Sequence, residues 1–599
     1  MRISSLARRV ALALLAAATW CTAHAAPCGN GYVNPVTREN CSTDPATWTS
    51  AWQADRQDLT YDTQKLAGYA SRPSVNSGET IHFYVHAPLA APDYSIDFYR
   101  LGWYGGAGGR LVAQVKGLTP VPQPACEWQD GGTVNGYLTC RSWRVSYSLT
   151  VPTDWVSGIY LAAIRARPKS STRSSPTYAH EVVFVVRNDQ RRADFIYQQA
   201  VATEQAYNDV SGPSLYDLQT IGHNTVPVAK VSFERPFDAL DNLQLYRFEL
   251  PFIDWLEKNG YDVVYSTDID THERRAPLAS QYKALLTAGH SEYWSKAMYD
   301  NVQGARDQGL NLGFFSGNTL YTQMRLEDER TPAGDSSHNL LDRVMVVYRY
   351  PYPPNAQGLG DPNRDPAVQT IRWRDFPLMR DEEALVGVHF TRPMSCPEHV
   401  ASWAGSGAPP QDGVRQTAPA LRVDPQPLTV ADAASWVYAG TGLQNGDVIP
   451  HVYGQETDAF ERPVPAQNCG RNLADPPARP PAYRAGTFSV LSQGRFDAAT
   501  VTAAGITLYP TRVPVNSVVY QACSGAWVFG AGDIMWANAL GPSFILGKDY
   551  TSAYIQQVTG NVLDVFSGRK AAPPAGTDAC VISFPAGLLS VLPAVLGDD

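Results

Sequence analysis

The rhythm of the chain changes at Asn188, and this break constrains the fold more than any other feature. Upstream, from about Val75 to Val186, short alternating or apolar segments are split by Gly, Pro and Ser: ETIHFYVHAP, YSIDFYRLGWYG, RLVAQV, RSWRVSYSL, GIYLAAIRA and HEVVFVVR. Alternation in runs this short predicts the strands of a β-sandwich. Downstream, strand, loop and helix follow one another. ADFIYQQA reads as a strand, and LQLYRFELPFIDWLEKNG carries apolar residues at helical spacing before Gly260. YDVVYSTD and YKALLTAG are strands, SKAMYDNVQGARDQG a helix and LNLGFFSGN another core strand. This order predicts a doubly wound α/β unit around a parallel sheet.

The remaining segments are parsed around these two units. Residues 26–74 form an N-terminal extension, 75–188 the sandwich and 189–349 the first part of the α/β domain. Residues 350–482 are Pro-rich with weak periodicity and read as a long insertion, with room for some strand. Residues 483–570 complete the α/β domain, with AWVFGAGDIMWANAL as a strand and its exit and a helical stripe through Tyr554, Val558, Val562 and Phe566. Residues 571–599 are a tail.

Residues 1–25 place Arg2, Arg8 and Arg9 before a short apolar run ending in Ala23-His24-Ala25, the pattern of a secretory signal cleaved near Ala25. The expected product is secreted or periplasmic and free of the membrane. Without the leader, 45 basic residues face 57 acidic ones, a net of −12, which argues against a nucleic-acid partner. Eight cysteines remain in that product, and closeness along the chain suggests Cys28–Cys41, Cys126–Cys140, Cys396–Cys469 and Cys523–Cys580. A zinc site needs paired short spacings such as C-x-x-C, and none occurs.

Open α/β sheets bind ligands outside the carboxyl ends of their strands, so the residues after each predicted strand are the candidates. YKALLTAG leads into His290-Ser291-Glu292, LNLGFF into Ser316-Gly317-Asn318, and FIYQQA toward Tyr207-Asn208. His290 and Glu292 suit metal binding or proton transfer. The alternative, that Glu292 or Ser291 caps the next helix and His290 makes a structural hydrogen bond, stays open. Gly289-His290-Ser291-Glu292-Tyr293 matches four positions of the serine-hydrolase elbow, but bulky Tyr293 stands where a small residue is needed. Asp268 and Asp270 suit a cation or a helix cap, and Arg235 in FERP a carboxylate or a structural ion pair; the structural readings are favoured. GWYGGAGGR lacks the Lys-Ser/Thr of a phosphate loop and reads as a hairpin connection.

Taken together, IDFYRLGWYGG, SGIYLAAI, EQAYN followed by GPSLY, VSFERPF, WLEKNGYDVVYSTDID, AGHSEYWS and FFSGN resemble the large (beta) subunit of N,N-dimethylformamidase and its relatives. The resemblance implies an immunoglobulin-like β-sandwich followed by a domain resembling class I glutamine amidotransferases. It also implies a mononuclear Fe(III) held by two tyrosines and a glutamate. By motif these fall on Tyr207 in EQAYN, Tyr160 in SGIY and Glu292 in GHSEYWS, with Tyr246 and Tyr216 as substitutes for Tyr160. His290 then serves as general acid/base and Asn318 as an orienting group.

Phenol has a reference pKa near 10, so it ligates well only beside a hard, highly charged ion, and two phenolates with one carboxylate balance three positive charges. The chain departs from the family pattern at Ser291, where Asp is usual, and at Glu204, where an aromatic residue is usual. The expected function is an exported amide hydrolase acting on a small substrate, as a homo-oligomer or with a small partner subunit. Two rivals remain: a non-catalytic secreted binding protein for a glycan or surface ligand, and a serine hydrolase using Ser291.

Overall fold

The computed structural model describes residues 33–582, apart from 51–58, 61, 88–92, 130–135, 168–176, 217, 222–223, 238–243, 330–339, 349–360, 391–424, 455, 461–480, 498–501, 504–505, 508–511, 543–547, 575 and 578. The expected leader, Cys28, Cys396, Cys469 and most of the tail lie outside the described residues. Helix α1 (Pro35–Ser42) is capped by Asn34, whose side chain accepts from the Thr37 amide.

The first unit is built from two sheets. One contains β1 (Ala67–Ala70), β2 (Thr80–His86) and β5 (Tyr147–Thr150); the other contains β3 (Tyr94–Leu101), β4 (Gly109–Leu118), β6 (Gly158–Ala166) and β7 (Thr177–Arg187). Phe83, Val85 and Leu149 from the first sheet pack against Phe98, Tyr160, Ile164 and Phe184 from the second. Alternation along β6 decides which residues take part. Tyr160, Ala162 and Ile164 face the sandwich interior, whereas Ile159, Leu161 and Ala163 join the core of the next unit. Both faces of β6 are therefore covered, and its side chains are apolar almost throughout. GWYGGAGGR connects β3 and β4, as the hairpin reading expects.

The second unit is a nine-stranded sheet. Its parallel part is β9 (Val263–Thr267), β8 (Phe195–Gln199), β10 (Ala284–His290), β11 (Asn311–Gly317) and β16 (Trp527–Gly530), in that spatial order. Alternate residues serve opposite faces: Phe195, Val263 and Leu286 go to one core, and Ile196, Val264 and Leu285 to the other. Helices α3 (Leu250–Lys258) and α6 (Ala553–Ser567) cover the first face. Helices α2 (Val201–Tyr207), α4 (Asp268–His272) and α5 (Lys296–Arg306) cover the second. This is the doubly wound arrangement that the strand–helix alternation predicts.

One expectation is corrected. The stripe of α6 begins at Ile555, not Tyr554: Ile555, Val558, Val562 and Phe566 are buried, and Tyr554 is exposed. The 350–482 segment does contain strands. It supplies β12 (Gln426–Val430) and β13 (Val448–Tyr453), which extend the central sheet through antiparallel pairing beyond β14 (Ser489–Asp497) and β15 (Arg512–Gln521).

Cys126–Cys140 and Cys523–Cys580 are bonded, in keeping with the spacing argument, and Cys41 is also in a disulfide. Among the described residues no helix is long and apolar enough to cross a membrane.

Candidate active site

In the sheet order β9-β8-β10-β11, the connections leaving β8 and β10 diverge, and a crevice opens at the carboxyl ends of these strands. β8 runs into α2, whose last residue is Tyr207; β10 ends at His290, and β11 ends just before Asn318. The backbone at these ends is specialised. Gly289 has φ 75°, and a Cβ there would sit 2.8 Å from the Phe248 Cβ, so only glycine allows the strand to turn here. Asn318 occupies the left-handed region at φ 46°, and its amide donates to Asp458 Oδ1 at 2.8 Å.

Four of the five expected residues meet in this crevice. Tyr207 stacks on Tyr216 with ring centroids 4.1 Å apart, and the imidazole of His290 lies 5.8 Å from the Tyr207 ring. The Tyr216 hydroxyl donates to Glu292 Oε2 at 3.1 Å and lies 3.0 Å from the Tyr293 hydroxyl. His290 Nε2 is 3.4 Å from Glu292 Oε2 and 3.1 Å from Asn318 Nδ2. Thr203 Oγ1, one turn before Tyr207, accepts from the Glu292 amide at 2.9 Å and ties helix α2 to the Glu292 loop. Arg235 donates to the carbonyls of Asn208 and Pro213, pinning the loop that separates Tyr207 from Tyr216. These bonds to carbonyls, and not a carboxylate ligand, are what the Arg235 guanidinium is seen to serve.

The electrostatics follow from packing phenols and acids together. Burial raises the Tyr207 pKa well above its ordinary value, Glu292 and Glu456 push it further, and the hydrogen bond with Tyr216 works in the opposite direction. Burial alone would lower the His290 pKa; its hydrogen bond to Glu292 and the charges of Glu456, Glu292 and Asp458 outweigh this, and the net shift is upward. Asn318 Oδ1 is buried and accepts no hydrogen bond, an orphan that a bound molecule can satisfy.

The donor set also bears on metal binding. Among the described residues, no group of three His, Cys, Asp or Glu side chains is arranged to hold an ion. The oxygen donors gathered here include the phenols of Tyr207 and Tyr216 beside the Glu292 carboxylate. Two phenols and a carboxylate within hydrogen-bonding reach fit a trivalent hard cation by charge and by donor type.

Comparison with known proteins gives a family model described as "N,N-dimethylformamidase beta subunit-like, C-terminal", which matches residues 95–552. The chain belongs to the N,N-dimethylformamidase beta subunit-like family. It is 27% identical over 232 residues to an N,N-dimethylformamidase beta subunit of Alcaligenes sp, covering 32% of this chain and 29% of that protein. It is 29% identical over 130 residues to the one of Paracoccus aminophilus, covering 20% of this chain and 17% of that protein. The chain thus spans less than a third of the length of either relative. A solved family 123 glycoside hydrolase from Clostridium perfringens overlaps 24% of this chain and 32% of its own, at 10% identity and a TM-score of 0.11, and carries no argument.

Within this N,N-dimethylformamidase beta subunit-like chain, Tyr160 is not part of the cluster. Its ring is fully buried in the sandwich, stacked on Trp155 at 5.0 Å, and its hydroxyl donates to the Val156 carbonyl at 2.7 Å. The charges around it are those of Arg100, Glu39, Arg110 and Glu257. The alternation of β6 turns it inward, and Tyr216 from the loop after α2 stands beside Glu292 instead. Tyr246, the other substitute, donates to Glu181 at 2.8 Å.

Ser291 is 1% exposed and its hydroxyl accepts from the Trp294 indole at 3.0 Å, with no base bonded to it among the described residues. Asp270 caps α4 together with Thr267 and pairs with Arg187 at 3.0 Å, and Asp268 accepts from the Ala202 amide, so both serve structural roles. Glu456 and Asp458 escape the sequence reading. They come from the Pro-rich segment, and Glu456 Oε2 accepts from Asn318 Nδ2 at 3.0 Å. The one local hint is the apolar strand IPHVY ending at Gly454 just before them.

Proposed function

We propose that this crevice is the centre of an amide hydrolase acting on a small substrate, with one ferric ion held by Tyr207, Tyr216 and Glu292. The observation that carries the reading is the Tyr216 hydroxyl, 3.1 Å from Glu292 Oε2 on a ring stacked against Tyr207. Both relatives are named beta subunits of N,N-dimethylformamidase, which supports amide chemistry and a partner subunit. The disulfides and the leader pattern favour an exported protein.

When bound, the ion supplies a Lewis acid for the amide carbonyl and lowers the pKa of a water molecule. The chain's own residues do the rest. His290, whose affinity for a proton is raised by the surrounding carboxylates, takes the proton that the attacking water releases and delivers it to the leaving nitrogen. Asn318 Nδ2, itself fixed by Glu456, donates to Nε2 while the imidazole is unprotonated and so orients it, and the orphaned Asn318 Oδ1 accepts an N–H of the substrate. The apolar wall of Phe248, Ile534 and Met535 keeps water away from the reacting groups.

The test is elemental analysis with a visible spectrum of the purified protein. One iron per chain and a phenolate-to-iron charge-transfer band are expected, both lost in Tyr207→Phe, Tyr216→Phe and Glu292→Ala and both kept in Tyr160→Phe. Iron retained by Tyr216→Phe, or lost from Tyr160→Phe, overturns the ligand set.

A further inference from the structure

A buried arginine beside this crevice has no role in the chemistry above. Arg247 lies in a single π-helical turn, Leu245–Glu249, inserted before α3. Such turns are commonly retained where a side chain must be aimed. Its residue exposure is 6%, its Nε is fully buried without a hydrogen-bond partner, and no acid pairs with it among the described residues. Other buried arginines are matched: Arg100 pairs with Glu257, Arg374 with Glu382 and Arg343 with Glu234. Burial pulls the Arg247 pKa down, and no acid among the described residues offsets it. A guanidinium held this way is strongly disfavoured unless an anion arrives to meet it.

Packing joins Arg247 to an apolar cluster that borders the crevice. Its guanidinium lies over the Phe248 ring, 5.5 Å from the centroid, and Phe248 packs with Ile534 and Met535. That apolar cluster presses on the carboxyl ends of the central strands. Phe248 occupies the space a side chain at Gly289 would need, and the Ile534 amide lies 2.7 Å from where a Cβ of Gly317 would stand. Met535 fills the corresponding space at Gly454, two residues before Glu456. The cluster thus borders His290, Asn318 and Glu456 together, and Arg247 lies over its Phe248 ring.

We propose that Arg247 is a recognition site for an anionic group, so that the substrate is a small amide that carries a carboxylate at one end. The carboxylate meets the guanidinium, the apolar middle lies along Phe248, Ile534 and Met535, and the amide reaches His290 and Asn318. This deepens the amidase reading and rests on it for the identity of the reacting bond, although anion binding at Arg247 can be measured by itself.

The experiment uses the full chain and two probe pairs, N-formylglycine with its neutral amide and N-formyl-β-alanine with its neutral amide. Binding is measured calorimetrically at constant ionic strength. A charge-assisted fork predicts that at least one acid binds about 10-fold or more tightly than its neutral partner. Arg247→Met should abolish this preference and leave the neutral affinity unchanged, and Arg247→Lys should keep part of it.

A second measurement follows the thermal midpoint: formate should raise that of the wild-type protein, and Arg247→Met should lose that gain. Equal affinity for acid and amide in both pairs, or a preference that survives Arg247→Met, overturns the proposal. If the preference depends on Arg247 but no probe is hydrolysed, the anion site stands and the amidase reading falls.

Discussion

Replacing Glu257 with Gln tests how the two units are held together. Glu257 on α3 is fully buried and accepts from four groups: Arg100 NH2 at 2.7 Å, Arg100 NH1 at 3.1 Å, Asn40 at 2.9 Å and Tyr265 at 2.8 Å. Arg100 lies on β3 of the sandwich and Asn40 on α1, so one carboxylate joins three parts of the chain. Glutamine keeps the shape and one acceptor oxygen. Its amide nitrogen, however, faces Asn40 and Arg100 NH1, which are themselves donors, and the Arg100 charge loses its partner. Removing one member of a fully buried pair costs about 3–5 kcal/mol, and two orphaned donors at about 1–3 kcal/mol each give the same range.

At a urea slope of about 3 kcal/mol per molar, the midpoint followed by tryptophan fluorescence should fall by about 1–1.7 M. Adding Arg100→Met to Glu257→Gln should cost less than Arg100→Met alone, because the stranded charge goes with it. Activity of the folded fraction should be unchanged, since the proposed ligands Tyr207, Tyr216 and Glu292 all belong to the α/β unit. A loss below about 1 kcal/mol, as for an exposed pair, or strict additivity in the double variant, would refute the reasoning.

Two further perturbations act inside the α/β unit. Burial pushes the Asp268 pKa up to about 8, against about 3.9 in an unfolded chain, so the folded state holds a proton that the unfolded state releases between these values. Stability therefore falls as pH rises from about 4 to about 8, and Asp268→Asn, which still accepts from the Ala202 amide, should remove that slope. The expected gain is near zero at pH 4 and about 2–4 kcal/mol at pH 7, read by denaturation across the range; an equal gain at both ends would refute it. Gly289→Ala forces a Cβ against Phe248 at φ 75° and should cost at least about 2 kcal/mol while displacing His290 and reducing turnover. The matched control is Gly309→Ala at φ 102°, where nothing lies within 4 Å, so that backbone cost appears without loss of turnover.

The parts of the fold that could be read in the chain are those where both faces of an element are buried. FIYQQ, VVYST and ALLTAGH are apolar because alternate residues feed two cores, and that density marks them as central strands. Once these strands are placed, His290, Glu292, Asn318 and Tyr207 follow, because a parallel sheet gathers its strand exits at one end. The same density misleads at Tyr160. An apolar strand buried on both sides looks alike whichever way a given tyrosine points, and only the register of β6 against β7 and β3 decides that it faces Phe184. Tyr216 has the reverse problem. It sits in a loop with no periodicity, and its place beside Glu292 depends on Arg235 gripping the carbonyls of Asn208 and Pro213.

Glu456 exposes a deeper limit of reading a site from strand ends alone. It lies 138 residues beyond Asn318, in a segment whose proline content suppresses periodicity, and it reaches the crevice because β12 and β13 extend the sheet and return the chain toward it. Its carboxylate holds Asn318, and Asp458 two residues on holds the Asn318 amide, so this one short stretch fixes both the side chain and the strained backbone of that residue. An asparagine at φ 46° needs such support to persist. The crevice is thus closed from the side that local pattern describes least: Glu292 is the first group to raise the proton affinity of His290, and the groups that add to it and orient Asn318 come from the segment that reads as a long insertion.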